Sequence, residues 1–473
     1  MSIKATLSTK DKSFRDFALN GAIWKVVLYV GTPLALYQSL NQLFKIFDTI
    51  MAAYISSNSV SAVAYLSQIN LMLYALGGGL AIGSSLKISQ AYGAGDYELV
   101  KKRVSTLFAM CAILGTCILL ILIPLAPQFL RLAKTPEKFI AEGTQFFRLE
   151  LVGMVISFFN NVYIAIERAR GNSKRILYLN FFVISLKLSL TALFVYGLKS
   201  GINMISIATI LSQSMILIAA IINLNQKDNA FGFSFNSIRM TPSVTSPMLL
   251  LSIPVMIEKA AFSFGKVIIN SMSTIYGALT VGALGISNNI GGLTTMPQNG
   301  FQEGGSAVIS QNMGAGKPKR ALQAFFCILL INIIIGASLM SFSLIFLKQI
   351  TSLYAGNDPQ FGNMIATIYH YEAYGAIPLG INASVMALLY GFGKTKLTLT
   401  INFFRVFVFR IPVLWALQNY TSYGFISMGI VMAVSNIATG LFSLTIGLIE
   451  INKICKAHKI KRSNWNRTKN ATV

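Results

Sequence analysis

Apolar residues run along this chain in stretches of about twenty residues or more, separated by short segments that hold most of its polar and charged side chains. Twelve such stretches stand out, at approximately 24–50, 60–86, 104–127, 141–167, 175–197, 202–224, 247–275, 280–310, 322–347, 364–391, 396–418 and 424–452. About 20 residues of helix cross the hydrocarbon core of a bilayer, and a spanning segment must satisfy its own backbone hydrogen bonds. The pattern therefore predicts an all-α polytopic membrane protein with twelve transmembrane helices. Residues 225–246 form the longest polar connector inside it, with Phe231 and Phe233 interspersed. They divide an N-terminal lobe, 1–224, from a C-terminal lobe, 247–452, and a basic tail follows at 453–473.

The two lobes resemble each other. Gln90-Ala91-Tyr92-Gly93-Ala94-Gly95 returns 221 positions later as Gln311-Asn312-Met313-Gly314-Ala315-Gly316. Pro33 pairs with Pro254 at the same offset; Asn180-Phe181-Phe182 pairs with Asn402-Phe403-Phe404 at 222, as does Gly171-Asn172-Ser173-Lys174 with Gly393-Lys394-Thr395-Lys396. Six spans per repeat bring both halves in from the same side, so the lobes are parallel, pseudo-symmetric repeats, and a pathway between them is the expectation. Proline in spans one and seven removes a backbone donor and can bend each helix. The Gly-Ala-Gly turns read as structural: glycine supplies the positive φ at which a helix stops. Gly77-Gly78-Gly79 and Gly291-Gly292 suit either close helix packing or local irregularity.

Composition agrees with the membrane reading. Hydrophobic residues make up 54% and charged residues 11% of the 473, against roughly a quarter charged in soluble domains; mean hydropathy is +0.63. A net charge of +24 raises the question of nucleic acid, but its distribution answers it. Lys4 to Arg15, Lys101 to Arg103, Arg168 to Arg175, Lys227, Arg239, Lys317 to Arg320, Lys394, Lys396 and the tail fall on one side. Arg131, Lys134, Lys138, Lys199 and Lys348 fall on the other. By the positive-inside rule the basic side is cytoplasmic and both termini lie there. No cleavable signal is expected before the first span. Cys111, Cys117 and Cys327 lie in apolar runs and Cys455 in the tail, with neither zinc spacing nor a disulfide framework. Two histidines and no acidic metal cluster leave no basis for an integral membrane enzyme.

These motifs carry a resemblance. Gln-x-x-Gly-Ala-Gly at the ends of spans two and eight, Arg168 to Lys174 after span four, Phe47-Asp48-Thr49 in span one and the basic run Arg405 to Pro412 in span eleven are similar to elements of the multidrug and toxic compound extrusion (MATE) family. That family sits within a superfamily that also holds lipid and polysaccharide flippases, and the resemblance covers nearly the whole chain. It implies a two-lobe exporter in the cytoplasmic membrane that works by alternating access and exchanges a drug-like compound for H⁺, ahead of Na⁺, with no cofactor. The partners implied are a small-molecule substrate and the lipid bilayer, with no nucleic acid and a monomeric chain.

Ionisable side chains at membrane depth are costly, so each is a candidate. Asp48 matches the position of the family's cation-linked aspartate. The resemblance places the family's fifth-span Asn and Asp at Lys187 and Thr191, which share a helical face with Asn180 and Ile184. The cation-coupling candidates are thus Asp48, Lys187, Thr191 and Asn180, with Asp48 paired to Lys187 or to Lys45. In the second lobe Glu258, Lys259, Lys266, Glu303, Glu372 and Arg405 are cleft candidates. The tenth-span aspartate of the sodium-coupled branch aligns near Leu379, so that ligand is missing. Glu372 and Glu150, 222 apart, read as a symmetric structural pair, and His370 near Glu372 as structural. The intramembrane cations Lys45, Lys187, Lys259, Lys266, Arg405 and Arg410 are not outnumbered by acids, so an exporter of an anionic or zwitterionic metabolite, or a lipid-linked saccharide flippase, is the alternative. A fixed pore suits two rocking lobes less well.

Overall fold

A computed structural model describes residues 5–53, 57–132, 140–199, 203–225, 229–355 and 358–460; the side chains of 45–53, 57–69, 132, 141–142 and 278 also fall outside the description. Asp48 and Lys45 therefore lie outside the described side chains. The first lobe is built from α2 (Ile23–Ala53), α3 (Ser57–Ala94), α4 (Tyr97–Leu122), α5 (Ala126–Leu132), α6 (Ile140–Ala169), α7 (Ser173–Ala192) and α8 (Asn203–Leu224), preceded by α1 (Thr9–Asn20). The second comprises α9 (Pro242–Ser273), α10 (Ala278–Gly314), α11 (Pro318–Ile345), α12 (Leu347–Ala355), α13 (Pro359–Ala373), α14 (Ala376–Gly391), α15 (Thr395–Phe407), α16 (Ile411–Tyr420) and α17 (Ile426–Ala457).

Each expected span falls on helix, with three local departures. Span five ends in a π turn, Leu193–Gly197. Span ten is two helices, α13 and α14, bent by 49° where they meet. Span eleven is broken between α15 and α16. Pro412 sits in the first turn of α16, where its ring and missing N–H prevent the helix from running straight through. Instead the Phe409 N–H reaches back to the Phe404 carbonyl at 2.8 Å, and the joint carries Arg410. Pro33 and Pro254, by contrast, lie inside continuous helices.

Among the described residues nine helices are long and apolar enough to cross a membrane, ten when α13 and α14 count as one. α10 is not among them. It carries Asn288, Asn289, Thr294, Gln298, Asn299, Gln302 and Glu303, and it packs against α2, α3 and α14 inside the molecule. A helix shielded from lipid can hold side chains that lipid would exclude.

The lobes meet where α3 packs on α9, α2 on α10, and α3 on α10. Ser252 on α9 donates to the Leu80 carbonyl on α3 at 3.1 Å and lies 3.1 Å from the Ser84 hydroxyl. The repeated motif forms the closest crossing. A Cβ on Gly93 would lie 1.9 Å from the Gln311 carbonyl oxygen, and one on Gly314 1.9 Å from that of Gln90. The final glycines, Gly95 and Gly316, take φ of 83° and 68°. So the same six residues stop each helix and let the two backbones touch across the pseudo-symmetry.

Helix α1 was not legible as an element, because residues 1–20 read as polar and mixed in charge. It buries Asp11, Phe14, Ala18 and Leu19, a helical spacing. It lies across the motif crossing and holds both lobes. Arg15 donates to the Tyr92 and Gly93 carbonyls at 3.0 and 2.8 Å, and Asp11 pairs with Arg170 at 3.0 Å. Toward the second lobe, Lys317 donates to the Leu19 carbonyl at 3.1 Å and Arg320 to those of Ala18 and Gly21. Cations at the carbonyl end of a helix also meet its negative dipole end. The connector joins this assembly: Phe231 is buried against Tyr92 at 5.0 Å, and Ala230 donates to the Thr6 carbonyl at 2.8 Å. Cys455, expected in the tail, is buried in the last turns of α17.

Candidate functional site: a charged cavity between the lobes

A cavity of about 510 Å³ lies between the lobes, and a second of about 220 Å³ lies within the second lobe, with Gln42 of α2 in its wall; the two share Phe262, Met296, Asn299, Asn382 and Arg405. The larger takes residues from α2, α3, α6, α9, α10, α14 and α15. The smaller lies toward α10, α13, α14 and α17. All six second-lobe candidates from the sequence reach them.

Glu258 sits one turn past Pro254 on α9 and is 5% exposed. Its carboxylate accepts from the Tyr390 hydroxyl at 2.9 and 3.0 Å, from Thr398 Oγ1 at 2.6 Å and from Asn402 Nδ2 at 2.8 Å. All four bonds come from neutral groups on α14 and α15, and Glu258 has no ion pair among the described residues. Lys259 follows it into the larger cavity.

Glu303 is treated differently. Arg168, in the last turn of α6, pairs with it at 2.5 Å across the lobes, and Gln38 of α2 donates to its other oxygen at 3.3 Å. The sequence reading counted Arg168 as loop charge. Only the fold shows that α6 carries this side chain into the cavity, and no sequence signal separated it from Arg170. Tyr390, Thr398 and Asn402 were likewise missed, being uncharged residues in long apolar runs.

Glu372 lies near the end of α13, one turn before the bend, and accepts from Ser287 on α10 at 2.5 Å. It lines the smaller cavity, whereas Glu150, its partner by repeat, accepts from Ser206 on α8 at 2.8 Å and lines neither cavity. The reading of the two as one symmetric structural pair does not hold, because the serines sit on non-equivalent helices. Leu379, where a tenth-span aspartate would fall, also lines the smaller cavity and offers no ligand atom. Arg405 Cζ and Lys266 Nζ stand over the Phe262 ring at 5.2 and 5.0 Å from its centroid.

Three of the first-lobe candidates are elsewhere. Asn180, buried, donates to the Ile176 carbonyl at 2.8 Å, and neither it nor Lys187 nor Thr191 lines either cavity. The proposed partner Asp48 has no described side chain, so the pairing has no geometry to report. No group of three or more His, Cys, Asp or Glu side chains is placed to hold a metal among the described residues.

Among the described residues, charge in the two cavities is therefore five cations (Arg168, Lys259, Lys266, Arg405, Arg410) against three carboxylates (Glu258, Glu303, Glu372). Two repeated bundles of membrane helices enclosing a polar, charged cavity at their interface define a two-lobe membrane transporter. The MatE family model matches residues 33–193 and 254–416, once in each lobe; the chain belongs to that family of transporters. It is 24% identical over 415 residues to the probable multidrug resistance protein YoeA of Bacillus subtilis, covering 85% of this chain and 88% of that one. The fold superposes with a TM-score of 0.87 on an outward-facing multidrug resistance MATE transporter, at 19% identity over 95% of this chain and 99% of that one. It superposes equally well, at 0.88 with 19% identity and 95% and 99% coverage, on a Pyrococcus furiosus transporter described as having a binding pocket of reverse polarity that suggests a different function.

Proposed function

We propose that this chain is a cation-coupled antiporter that exports small amphipathic organic compounds. In this reading it works as a monomer in the cytoplasmic membrane, with the basic motif end and both termini inside. The observation that carries the coupling is Glu258: a buried carboxylate in the cavity wall, held by neutral donors alone. A buried carboxylate at membrane depth with no cation in contact, Lys259 acting on it only from the next position, sits in an expensive environment, so a cation arriving from outside has a reason to bind there. A proton on Glu258 would turn one accepting oxygen into a donor. On Oε2 it can be donated to the Thr398 hydroxyl, which then donates to the Thr395 carbonyl at 2.8 Å, while Oε1 keeps the Asn402 bond. Loading would thus reverse one hydrogen bond and remove one charge at the joint between α9, α14 and α15, which is the kind of local change that biases two lobe arrangements. Asp48 is the second candidate for the same task.

Proton coupling is the leading reading and sodium the alternative. Transport in proteoliposomes under an imposed proton gradient and, separately, a sodium gradient distinguishes them. Glu258→Gln is expected to cut gradient-driven transport by about tenfold or more and to flatten its pH dependence, with Asp48→Asn as the companion measurement. An unchanged pH profile in Glu258→Gln would remove that residue from the coupling role.

The substrate class has two readings. The multidrug name of YoeA favours drug-like compounds. The excess of cations over carboxylates in the cavity favours an anionic or zwitterionic metabolite, since a cavity selecting lipophilic cations gains from negative charge and open aromatic faces. Here the Phe262 face already carries Lys266 and Arg405.

A further inference from the structure

We infer that Arg405 and Arg410 form an anion subsite at the junction of the two cavities, which takes the carboxylate, sulfonate or phosphate group of the exported compound. The inference rests on the exporter reading and narrows its substrate class to organic anions with a small apolar body. Each guanidinium has five N–H donors and no acceptor. Among the described residues the two make three hydrogen bonds between them: Arg405 to Asn436 Oδ1 at 3.1 Å, Arg410 to the same oxygen at 3.1 Å, and Arg410 to Ser435 Oγ at 3.1 Å. Both acceptors are neutral, and one amide oxygen serves both cations.

Neither arginine has a carboxylate within ion-pair distance among the described residues. Glu372, the carboxylate in the same cavity, is engaged by Ser287 on α10. Arg410 is 3% exposed, and Arg405 Nε is buried with no hydrogen-bond partner. Two neighbouring like charges in a cavity repel each other, and the Glu372 carboxylate acts on both across the cavity without touching either; an arriving anion would supply the contact that is missing, with charge-assisted, forked hydrogen bonds. The break between α15 and α16 is what brings them together, since five positions apart on an unbroken helix the two side chains would diverge. Lys266 adds a third cation to the wall of the smaller cavity, and Met296, shared by both cavities, offers an apolar surface between the subsite and the larger one.

The test is direct binding, with no ion gradient, to the purified full-length protein in phosphatidylcholine nanodiscs, where no anionic headgroup competes. The probes are naphthalene-2-sulfonate and naphthyl-2-trimethylammonium, which share an aromatic body and differ in the sign of the charge. The sulfonate is expected to bind about tenfold or more tighter than the ammonium. Arg405→Gln and Arg410→Gln should each weaken the sulfonate about tenfold and leave the ammonium unchanged or tighter, with Arg405→Lys intermediate. Glu372→Gln should strengthen the sulfonate. Preference for the ammonium, or no binding of the sulfonate by the unmodified protein, overturns the subsite, and neither outcome needs a variant to fold. Failure of ion coupling would leave this binding preference intact, so the two proposals fail separately.

Discussion

The cavity's carboxylates differ in what neutralises them, and the difference is decided side chain by side chain. Glu303 has a cation at 2.5 Å in Arg168; Glu258 has hydroxyls and an amide; Glu372 has a serine. The Arg168–Glu303 pair is mostly buried, at 9% and 19% side-chain exposure, and removing one member strands the other. Loss of a partner in a buried pair costs on the order of 3 kcal/mol, while removing both costs less. Arg168→Ala and Glu303→Ala are therefore expected to lower the thermal midpoint in detergent more, each alone, than the two together. Additive losses would mean that the pair contributes no coupling. None of this was open to sequence inspection: Arg168 and Glu303 are 135 positions apart, and Glu258 and Asn402 are 144 apart.

At the scale of elements, the spans were readable because lipid demands long apolar helices, but their breaks and the short helix α1 were not. The α15–α16 joint lies inside a single apolar run, and Pro412 alone did not distinguish a kink from a break. Helix α1 was hidden by its polar surface, since its buried side is narrow and its bonds join residues far apart in the chain: Arg15 to carbonyls of α3, Asp11 to Arg170, and its own last carbonyls to Lys317 and Arg320. Its grip on the second lobe comes through Lys317 and Arg320. Arg320→Ala removes the bonds to Ala18 and Gly21 and should loosen the basic end. Spin labels at positions 102 and 319, in a background without the four native cysteines, are expected to report a longer or broader distance distribution in the variant. An identical distribution would reduce α1 to a surface decoration.

At the scale of the whole molecule, the repeat gives two similar lobes, and the motif crossing shows how they touch. Backbone-to-backbone approach at Gly93 and Gly314 leaves no room for a side chain, so the closed basic end exists only with glycine there. Gly314→Val is expected to disfavour that closure. A cysteine at Ser306, in the cavity wall, should then react faster with an impermeant thiol reagent added from the basic side. A slower or unchanged rate would mean that the crossing is not a gate.

Apolar run length, an offset of 221 and the sign of the loop charges determined the spans, the pairing of lobes and the expected sidedness, and short motifs carried the family resemblance. Each of these is a property of local stretches or of the chain compared with itself. Tertiary structure decided which polar groups share a cavity. Long membrane helices are apolar around much of their circumference, so periodicity hardly marks the inward face. Rotation, bends and breaks of individual helices then set whether a buried charge meets a counter-ion, a hydroxyl or nothing. Glu258 among neutral donors and Arg405 beside Arg410 were fixed at that level, where packing rather than pattern chooses the neighbours.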